Sequence, residues 1–506
     1  MGFFQSIPLN QINFRKERFA NKANREFDLN KYNKSQACKL PTVEELRASL
    51  AESQGSDVRN QLALIFDEGT FVETAAYTKR AISDFISSES ANEFESVICG
   101  YGAIDGKLAF AFAEDASRTG GVIDERHAKK IADVYSHALA NGAPVVGIFN
   151  SNGTDIFEGT AGLAAYAKIM SCVAKASGVI PQIAFIAGKC IGTSAAIASM
   201  FDFIVKDKKS TFYVTSPSLV KVEGAQDSVL AYTADTDAAA GYIRALVSYL
   251  PSNSSVGICS DICTDNLNRK LGNLDFSGDA ISAISVIADN GVYYEVARDF
   301  ADGVSTVFAT LGGVKCGVVA NSFAKNNGKI DANVARKISK FVNFCSAFSI
   351  PVVTLVDSLG LAMSEDGERD FAPELAKLAF AYATSDIPKV TVIIGHAIGA
   401  AFALLGSKAL GADLVYATDN SEIGALTAEC GVAFAWDKYI TEEKTREDLV
   451  NEWKLTVSSP VIAAASGEID DIIGTSELRA RICSALLMLS AKGATKADSR
   501  RKVLPL

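Results

Sequence analysis

The 506-residue chain predicts an α/β protein built as two tandem copies of one unit. Three observations carry that prediction. Two stretches echo each other: residues 180–196 read IPQIAFIAGKCIGTSAA, and residues 387–403 read IPKVTVIIGHAIGAAFA. One spacing relates them and much else, because Pro144 and Pro351, Lys130 and Lys337, Pro181 and Pro388, Gly188 and Gly395, and Gly192 and Gly399 are all 207 residues apart. Shared composition would not hold such a register, so the offset is an internal duplication. Finally, each echo is a β-branched apolar run that ends in Gly-x-x-x-Gly and leads into small residues, the order of a buried strand followed by a helix.

Taken in order, residues 1–56 read as an N-terminal arm, polar and mixed in charge. Within it Thr42 and Glu45 predict a capping box for a short helix to Ala51. A helix over 57–66 ends in the turn Asp67-Glu68-Gly69. Over 96–114, Asp105-Gly106 between apolar runs predicts a hairpin. An amphipathic helix over 124–141 closes at Asn141-Gly142. There follow a strand over 144–149, a polar loop over 153–159, a helix over 160–176, the first echo, and strands over 201–205 and 211–215. An apolar stretch over 244–250 ends the half, and the Pro/Ser/Asn cluster after it opens a linker over 253–272. The second half repeats the order: a strand pair turning at Gly312-Gly313, a helix over 333–348, a strand over 352–356, a loop over 358–371, a helix over 373–383 and the second echo. A helix over 477–489 precedes a tail with Arg500, Arg501 and Lys502, read as a solvated or packing end. The domains are therefore expected at 57–252 and 273–506.

Composition narrows the function. The chain is too long for one ordinary core, and 48% hydrophobic against 21% charged residues suits a globular protein. A net charge of −10 without a long Lys/Arg run argues against nucleic acid as a partner. Ten scattered cysteines fit reduced thiols in a cytoplasmic setting, and Cys259 and Cys263 lack the further ligands a zinc site needs, so no metal is expected. No basic segment followed by an apolar core opens the chain, so no signal peptide is expected. Met1-Gly2 with Ser6 matches a myristoylation pattern only formally. The apolar run over 390–406 contains His396 and three glycines, and reads as a buried strand and helix rather than a membrane span.

The chemistry is expected at the two glycine turns. Glycine lets the chain reverse and lets a ligand approach the backbone, and the first amides of the following helix lack intrahelical acceptors, which suits a developing oxyanion. A plain strand–helix connection is the alternative reading. Other chemistries lack their residues: no phosphate-binding Gly-x-x-x-x-Gly-Lys, no dinucleotide fingerprint, no Gly-x-Ser-x-Gly elbow around Ser194, and only His127, His137 and His396 as histidines. None of the five methionines flanks a lysine, so no Met-Lys-Met biotinylation site is present.

Several pieces in order resemble a known family: LIFDEGTFVE (64–73), CGYGAIDGKLAFAFAED (99–115), HAKKIADVYSHALANGAPVVGI (127–148), SGVIPQIAFIAGKC (177–190), LVSYLPSN (246–253), CGVVANS (316–322), FCSAFSIPVVTLVD (344–357) and GSKALGADLVYA (406–417). The chain is similar, from about Val58 to Ala491, to the β-type carboxyltransferase subunits of biotin-dependent acyl-CoA carboxylases and decarboxylases. The resemblance implies two tandem crotonase-like domains of spiralled ββα units. It implies that an acyl-CoA thioester lies on the first domain of one subunit and biotin on the second domain of its partner. Amides after Gly192 and Thr193 would hold the thioester enolate, and those in Gly399-Ala400-Ala401 the ureido oxygen of biotin. Gly120, Gly121, Gly153, Gly188, Phe402 and Ala403 would line the acyl-CoA, and Gly360 and Gly395 the biotin. Biotin itself would remove the α-proton, so no side-chain base is needed. The implied partners are a biotin carboxyl carrier protein and biotin carboxylase or membrane decarboxylase subunits, with a second carboxyltransferase-like chain as a further option. The implied assembly is a homo-oligomer, a dimer-based hexamer.

This sequence departs from the family pattern at both turns. Gly-Gly becomes Gly192-Thr193, Gly-Gly-Ala-Tyr becomes Gly399-Ala400-Ala401-Phe402, and Arg-Lys becomes Gly395-His396. Asp-x-Pro-Gly-Phe reads Asp357-Ser358-Leu359-Gly360-Leu361, and Ser-Gly-Gly-Ala-Arg reads Ser151-Asn152-Gly153-Thr154-Asp155, a cation replaced by an anion. Amide donors survive any such change short of proline. Three alternatives stand beside the transferase: a degenerate copy that serves assembly with an active partner, the decarboxylase subunit of a sodium-pumping acyl-CoA decarboxylase, and other acyl-CoA lyase or hydratase chemistry on the same fold.

Overall fold

The computed structural model describes residues 42–52, 56–80, 93–154, 159–216, 219, 231–271, 278–362 and 368–492. Most of the N-terminal arm, Asp155 with most of its polar loop, part of the 358–371 loop and the basic tail lie outside the described residues. Residues 1–55 form one unit, of which helix α1 (Val43–Glu52) is described. It carries the expected capping box: the Glu45 amide donates to Thr42 Oγ1 (3.2 Å) and the Thr42 amide to Glu45 Oε2 (2.7 Å).

Residues 56–506 form the second unit, which holds the duplication. After helix α2 (Asp57–Ile65), the first sheet takes its strands in the order β1 (Val72–Thr74), β2 (Val97–Ile104), β3 (Lys107–Glu114), β4 (Val145–Phe149), β5 (Gln182–Ile186), β7 (Phe203–Asp207) and β9 (Ala231–Ala234). Beside it β6 (Lys189–Ile191) pairs with β8 (Thr211–Tyr213). The second sheet runs β10 (Tyr293–Val296), β11 (Val304–Leu311), β12 (Val314–Asn321), β13 (Val352–Ser358), β14 (Lys389–Ile398), β15 (Leu414–Thr418) and β17 (Asp471–Ile473), with β16 (Glu422–Gly424) paired to the end of β14. In each sheet the first three strands are antiparallel and the rest parallel. Val97 and Val304, Lys107 and Val314, Val145 and Val352, and Gln182 and Lys389 begin equivalent strands, so the 207-residue offset read from the sequence is a structural register.

Local chemistry explains the boundaries. Asp105 (φ 47°) and Gly106 (φ 76°) both take positive φ, as the two-residue hairpin turn requires, and Gly312 (φ 61°) and Gly313 (φ 85°) repeat it. Helix α3 (Glu125–Asn141) starts where Asp124 accepts from the His127 amide (2.8 Å) and stops at left-handed Gly142 (φ 60°). Helix α4 is Thr160–Ala176, as expected.

Some elements differ from expectation. The 244–250 stretch is the end of a longer helix, α6 (Thr236–Tyr249), whose Ala-rich start carries little periodic signal. Helix α7 (Ala280–Ile287) was not anticipated, because its β-branched sequence favours a strand and only burial of Ala283, Ile284 and Ile287 fixes it as helix. After α8 (Ala332–Ala347), helix α9 (Glu368–Thr384) begins before Pro373 rather than at it. Acidic Glu368 and Asp370 suit the earlier start, and Pro373, the sixth residue of the helix, costs it the hydrogen bond that an N–H there would give the Arg369 carbonyl. The described part of the 253–272 linker lies against the second hairpin, with the Asp261 amide donating to the Gly313 carbonyl (2.8 Å).

The halves share apolar packing. Phe203 meets Phe344 (4.6 Å between ring centres) and Phe308 (5.8 Å), and the Tyr249 hydroxyl donates to the Ala309 carbonyl (2.6 Å). The three phenylalanine rings are almost fully buried, each contributing about 1.5–3 kcal/mol.

Candidate functional site

Two short helices begin at the duplicated glycines. Gly192 (φ 60°, ψ −129°) precedes α5 (Thr193–Ser199), and Gly399 (φ 56°, ψ −132°) precedes α10 (Ala400–Leu404). The near-identical angles lie in a region that only glycine enters without strain. Each glycine spends its own N–H on the neighbouring strand: Gly192 donates to the Tyr213 carbonyl (3.0 Å) and Gly399 to the Gly424 carbonyl (2.8 Å). The glycines therefore shape the turns, and the donors they expose are the amides that follow. Among the described residues nothing accepts from the amides of Thr193 and Ser194, or from those of Ala400 and Ala401. Thr193 and Ala403 are exposed, Ala400 and Phe402 half-buried, and Ser194 and Ala401 buried. Ser194 Oγ is buried without a well-formed hydrogen bond, with Tyr166 beside it.

In the first half the remaining candidate glycines converge on the loop after β4. A Cβ on Gly120 would overlap the Asn152 carboxamide, one on Gly121 the Asn150 carbonyl, and one on Gly188 the Asn150 carboxamide. Asn150 Oδ1 accepts from the Lys189 amide (3.1 Å), and the Ser151 amide donates to the Lys189 carbonyl (2.8 Å). The Ile123 amide donates to the Gly153 carbonyl (2.9 Å). Gly120, Gly121, Gly153 and Gly188 thus sit together, tied to the strand that delivers Gly192 and Thr193.

The second half repeats this with different chemistry. Asp357 stands at the Asn150 position and accepts from the His396 amide through Oδ1 (2.9 Å). A Cβ on Gly395 would come within 2.5 Å of the Asp357 carboxylate. Gly360 (φ 101°) lies against the Ile398 carbonyl, and its own carbonyl accepts from the Ile330 amide (2.9 Å). Gly360 and Gly395 therefore flank the second turn. Phe402 and Ala403 belong to α10, in the second half, rather than to the first-half cluster.

Sequence reasoning missed the groups that hold these turns. Asn150 and Asp357 are themselves 207 apart, and following the offset one step further would have found them. Behind Asn150 lies a buried acid–imidazole cluster. Glu114 Oε2 accepts from the Asn150 amide (3.0 Å), His127 Nε2 lies 3.9 Å from Glu114 Oε1, and His127 Nδ1 lies 3.4 Å from Glu95 Oε1. Burial pushes the Glu114 carboxyl up to about 7, against the opposing pull of His127 and the Asn150 amide. Burial also opposes ionisation of Glu95, but its hydrogen bond to and charge attraction from His127 hold it down at about 2.

The profile of the carboxyl transferase domain matches residues 52–229 and 222–504. The chain is 34% identical over 490 residues to the methylmalonyl-CoA decarboxylase subunit alpha of Veillonella parvula, covering 91% of this chain and 96% of that one. It is 32% identical over 479 residues to the mitochondrial propionyl-CoA carboxylase beta chain of Homo sapiens, covering 88% of each. Among solved structures it superposes on the hexameric transcarboxylase 12S core bound to methylmalonyl-coenzyme A, with a TM-score of 0.81, 29% identity, and coverage of 92% of this chain and 100% of that one.

Proposed function

The chain belongs to the carboxyl transferase family, and from that premise we propose that it moves a carboxyl group between biotin on a separate carrier protein and the α-carbon of an acyl-CoA. The observation that carries the proposal is the matched pair of glycine turns, each offering two amides without an acceptor. Two oxyanions, one on the acyl thioester and one on the urea, ask for two such sites.

On this reading the first half, 57–252, binds the acyl-CoA. Gly120, Gly121, Gly153 and Gly188 keep backbone close to the thioester, and the amides of Thr193 and Ser194 stabilise its enolate oxygen as the carboxyl group leaves or arrives. Preorganised donors of this kind are worth about 3–4 kcal/mol each. The second half, 273–506, fits a cyclic urea. Gly360 and Gly395 add no side chain of their own beside the turn, and the Ala400 and Ala401 amides would donate to the urea oxygen. Biotin, when bound, supplies the ureido nitrogen that bears the carboxyl group. Phe402 and Ala403 would border the acyl chain of a partner subunit, so the working unit is at least a dimer and, by family likeness, a hexamer. A carrier protein, with biotin carboxylase or a membrane decarboxylase, completes the cytoplasmic machinery. Among the described residues no helix is long and apolar enough to cross a membrane.

The test is carboxyl transfer from malonyl-, methylmalonyl- and glutaconyl-CoA to free biotin by the purified oligomer. Turnover of at least one is expected. A folded oligomer silent with all three overturns the proposal, and so does a stable monomer by light scattering.

A further inference from the structure

The second turn holds a side-chain pair that the amide mechanism does not use. His396 lies on β14, three residues before Gly399. Its Nδ1 is 2.8 Å from Asp357 Oδ1, and the same oxygen accepts from its backbone amide. Phe323 stacks on the ring, with centres 4.8 Å apart and planes 19° off parallel. The carboxylate therefore fixes the tautomer and the aromatic ring fixes the plane. Nε2 has no partner among the described residues, and the side chain is 33% exposed. An imidazole locked by an acid on one nitrogen and open on the other is the arrangement of a proton acceptor.

The duplication supplies a control within the molecule. At the equivalent place in the first half stand Lys189 and Asn150, with Asn150 Oδ1 accepting from the Lys189 amide (3.1 Å). The Lys189 ammonium is turned to Asn152 Oδ1 (3.1 Å). Backbone support at this position thus needs only an amide oxygen. The charge on Asp357 is surplus to that role and serves the imidazole.

We propose that His396, positioned by Asp357, is the proton acceptor of the biotin-side site: its Nε2 accepts the ureido N–H and takes that proton as the nitrogen bonds to the carboxyl carbon. The inference rests on the carboxyltransferase reading. The N–H bond breaks and the Nε2–H bond forms. The electron pair left on nitrogen makes the new N–C bond, and Asp357 offsets the charge on the imidazolium. The Cα–carboxyl bond of the acyl-CoA breaks and leaves its electron pair on the thioester enolate, which takes the proton from the imidazolium at the α-carbon. No other reactant is required, and His396 relays the proton that the family resemblance gives to biotin alone. The groups facing His396 are Asp357, Glu422 on β16, and Lys454 on helix Arg446–Thr456. The Asp357 hydrogen bond raises the imidazole above its ordinary value against desolvation, with Glu422 adding and Lys454 subtracting. The acceptor form therefore prevails only above that raised value.

Two measurements test this on the full oligomer. The first follows the ring resonances of 13C-labelled histidine against pH and free biotin, with the His396 signal identified by its loss in His396→Gln. It should titrate above the usual imidazole range, move on saturation with biotin, and titrate lower in Asp357→Asn. The second is transfer to free biotin against pH. His396→Gln should lose about 100-fold in kcat together with the acid limb, and Asp357→Asn should shift that limb to lower pH. A biotin-indifferent His396 signal, or a His396→Gln enzyme with wild-type kcat and pH profile, overturns the inference and leaves the transferase standing. A wild-type oligomer that neither binds biotin nor turns over any acyl-CoA overturns both. If His396→Gln fails to fold, the Asp357→Asn limb decides: an unmoved limb refutes the pair.

Discussion

Replacing Glu114 with glutamine should make the protein's stability less dependent on pH, by an amount set by the burial of one carboxyl. Glu114 is 1% exposed beneath the first turn, and burial lifts it from an ordinary 4.5 to about 7. The unfolded chain releases this proton near 4.5, whereas the folded chain keeps it to about 7. Between those values the folded state binds more protons, so stability present at low pH is lost as pH rises. At about 1.4 kcal/mol per pH unit, the loss is complete above 7 and amounts to about 3 kcal/mol. Glu95, held low beside His127, works in the opposite sense, losing stability as pH falls toward 2. Both proteins contain Glu95, so their difference isolates Glu114. Glutamine keeps the shape and an oxygen for the Asn150 amide. The stability of Glu114→Gln minus that of wild type should therefore rise by about 3 kcal/mol between pH 4.5 and 8. The assay is urea unfolding at several pH values and one protein concentration, since an oligomer's stability depends on concentration. Parallel curves for the two proteins would refute the reasoning.

Other expectations follow from the same geometry. Gly188→Ala should cost about 2–4 kcal/mol in urea unfolding, because the new Cβ displaces the Asn150 carboxamide from the Lys189 amide, and the KM for acyl-CoA should rise with it; an unchanged midpoint would mean that Asn150 moves freely. Ala403→Leu should spare acetyl-CoA turnover while longer acyl-CoAs fall about tenfold. Equal effects on all chain lengths, or none, would remove Ala403 from the acyl pocket.

How much was legible follows from what kind of signal each feature leaves. The duplication, both hairpins, α3, α4 and the glycine turns were readable, since each rests on spacing or on a residue type that its backbone angle demands. Helix α7 and most of 414–473 were not, because β-branched or weakly periodic segments take their state from burial by distant partners. At the sites, the glycines were visible by type and Asn150 by the offset to Asp357, while the Glu114 and His127 groups behind it were not, because hydrogen bonds between residues far apart in sequence leave no local pattern. His396 was visible as a departure from the family pattern, but its meaning came only with Asp357 at 2.8 Å.

The central claim is that backbone amides, not side chains, stabilise the reacting oxyanions, and the most direct measurement compares Thr193→Pro with Thr193→Ala in carboxyl transfer to free biotin. Thr193 is the first residue of α5, where proline fits the helix and removes only the N–H. The account predicts that Thr193→Ala retains the wild-type rate while Thr193→Pro, folded and oligomeric, loses about 100- to 1,000-fold in kcat. Equal rates for the two variants, or a loss confined to alanine, would contradict it.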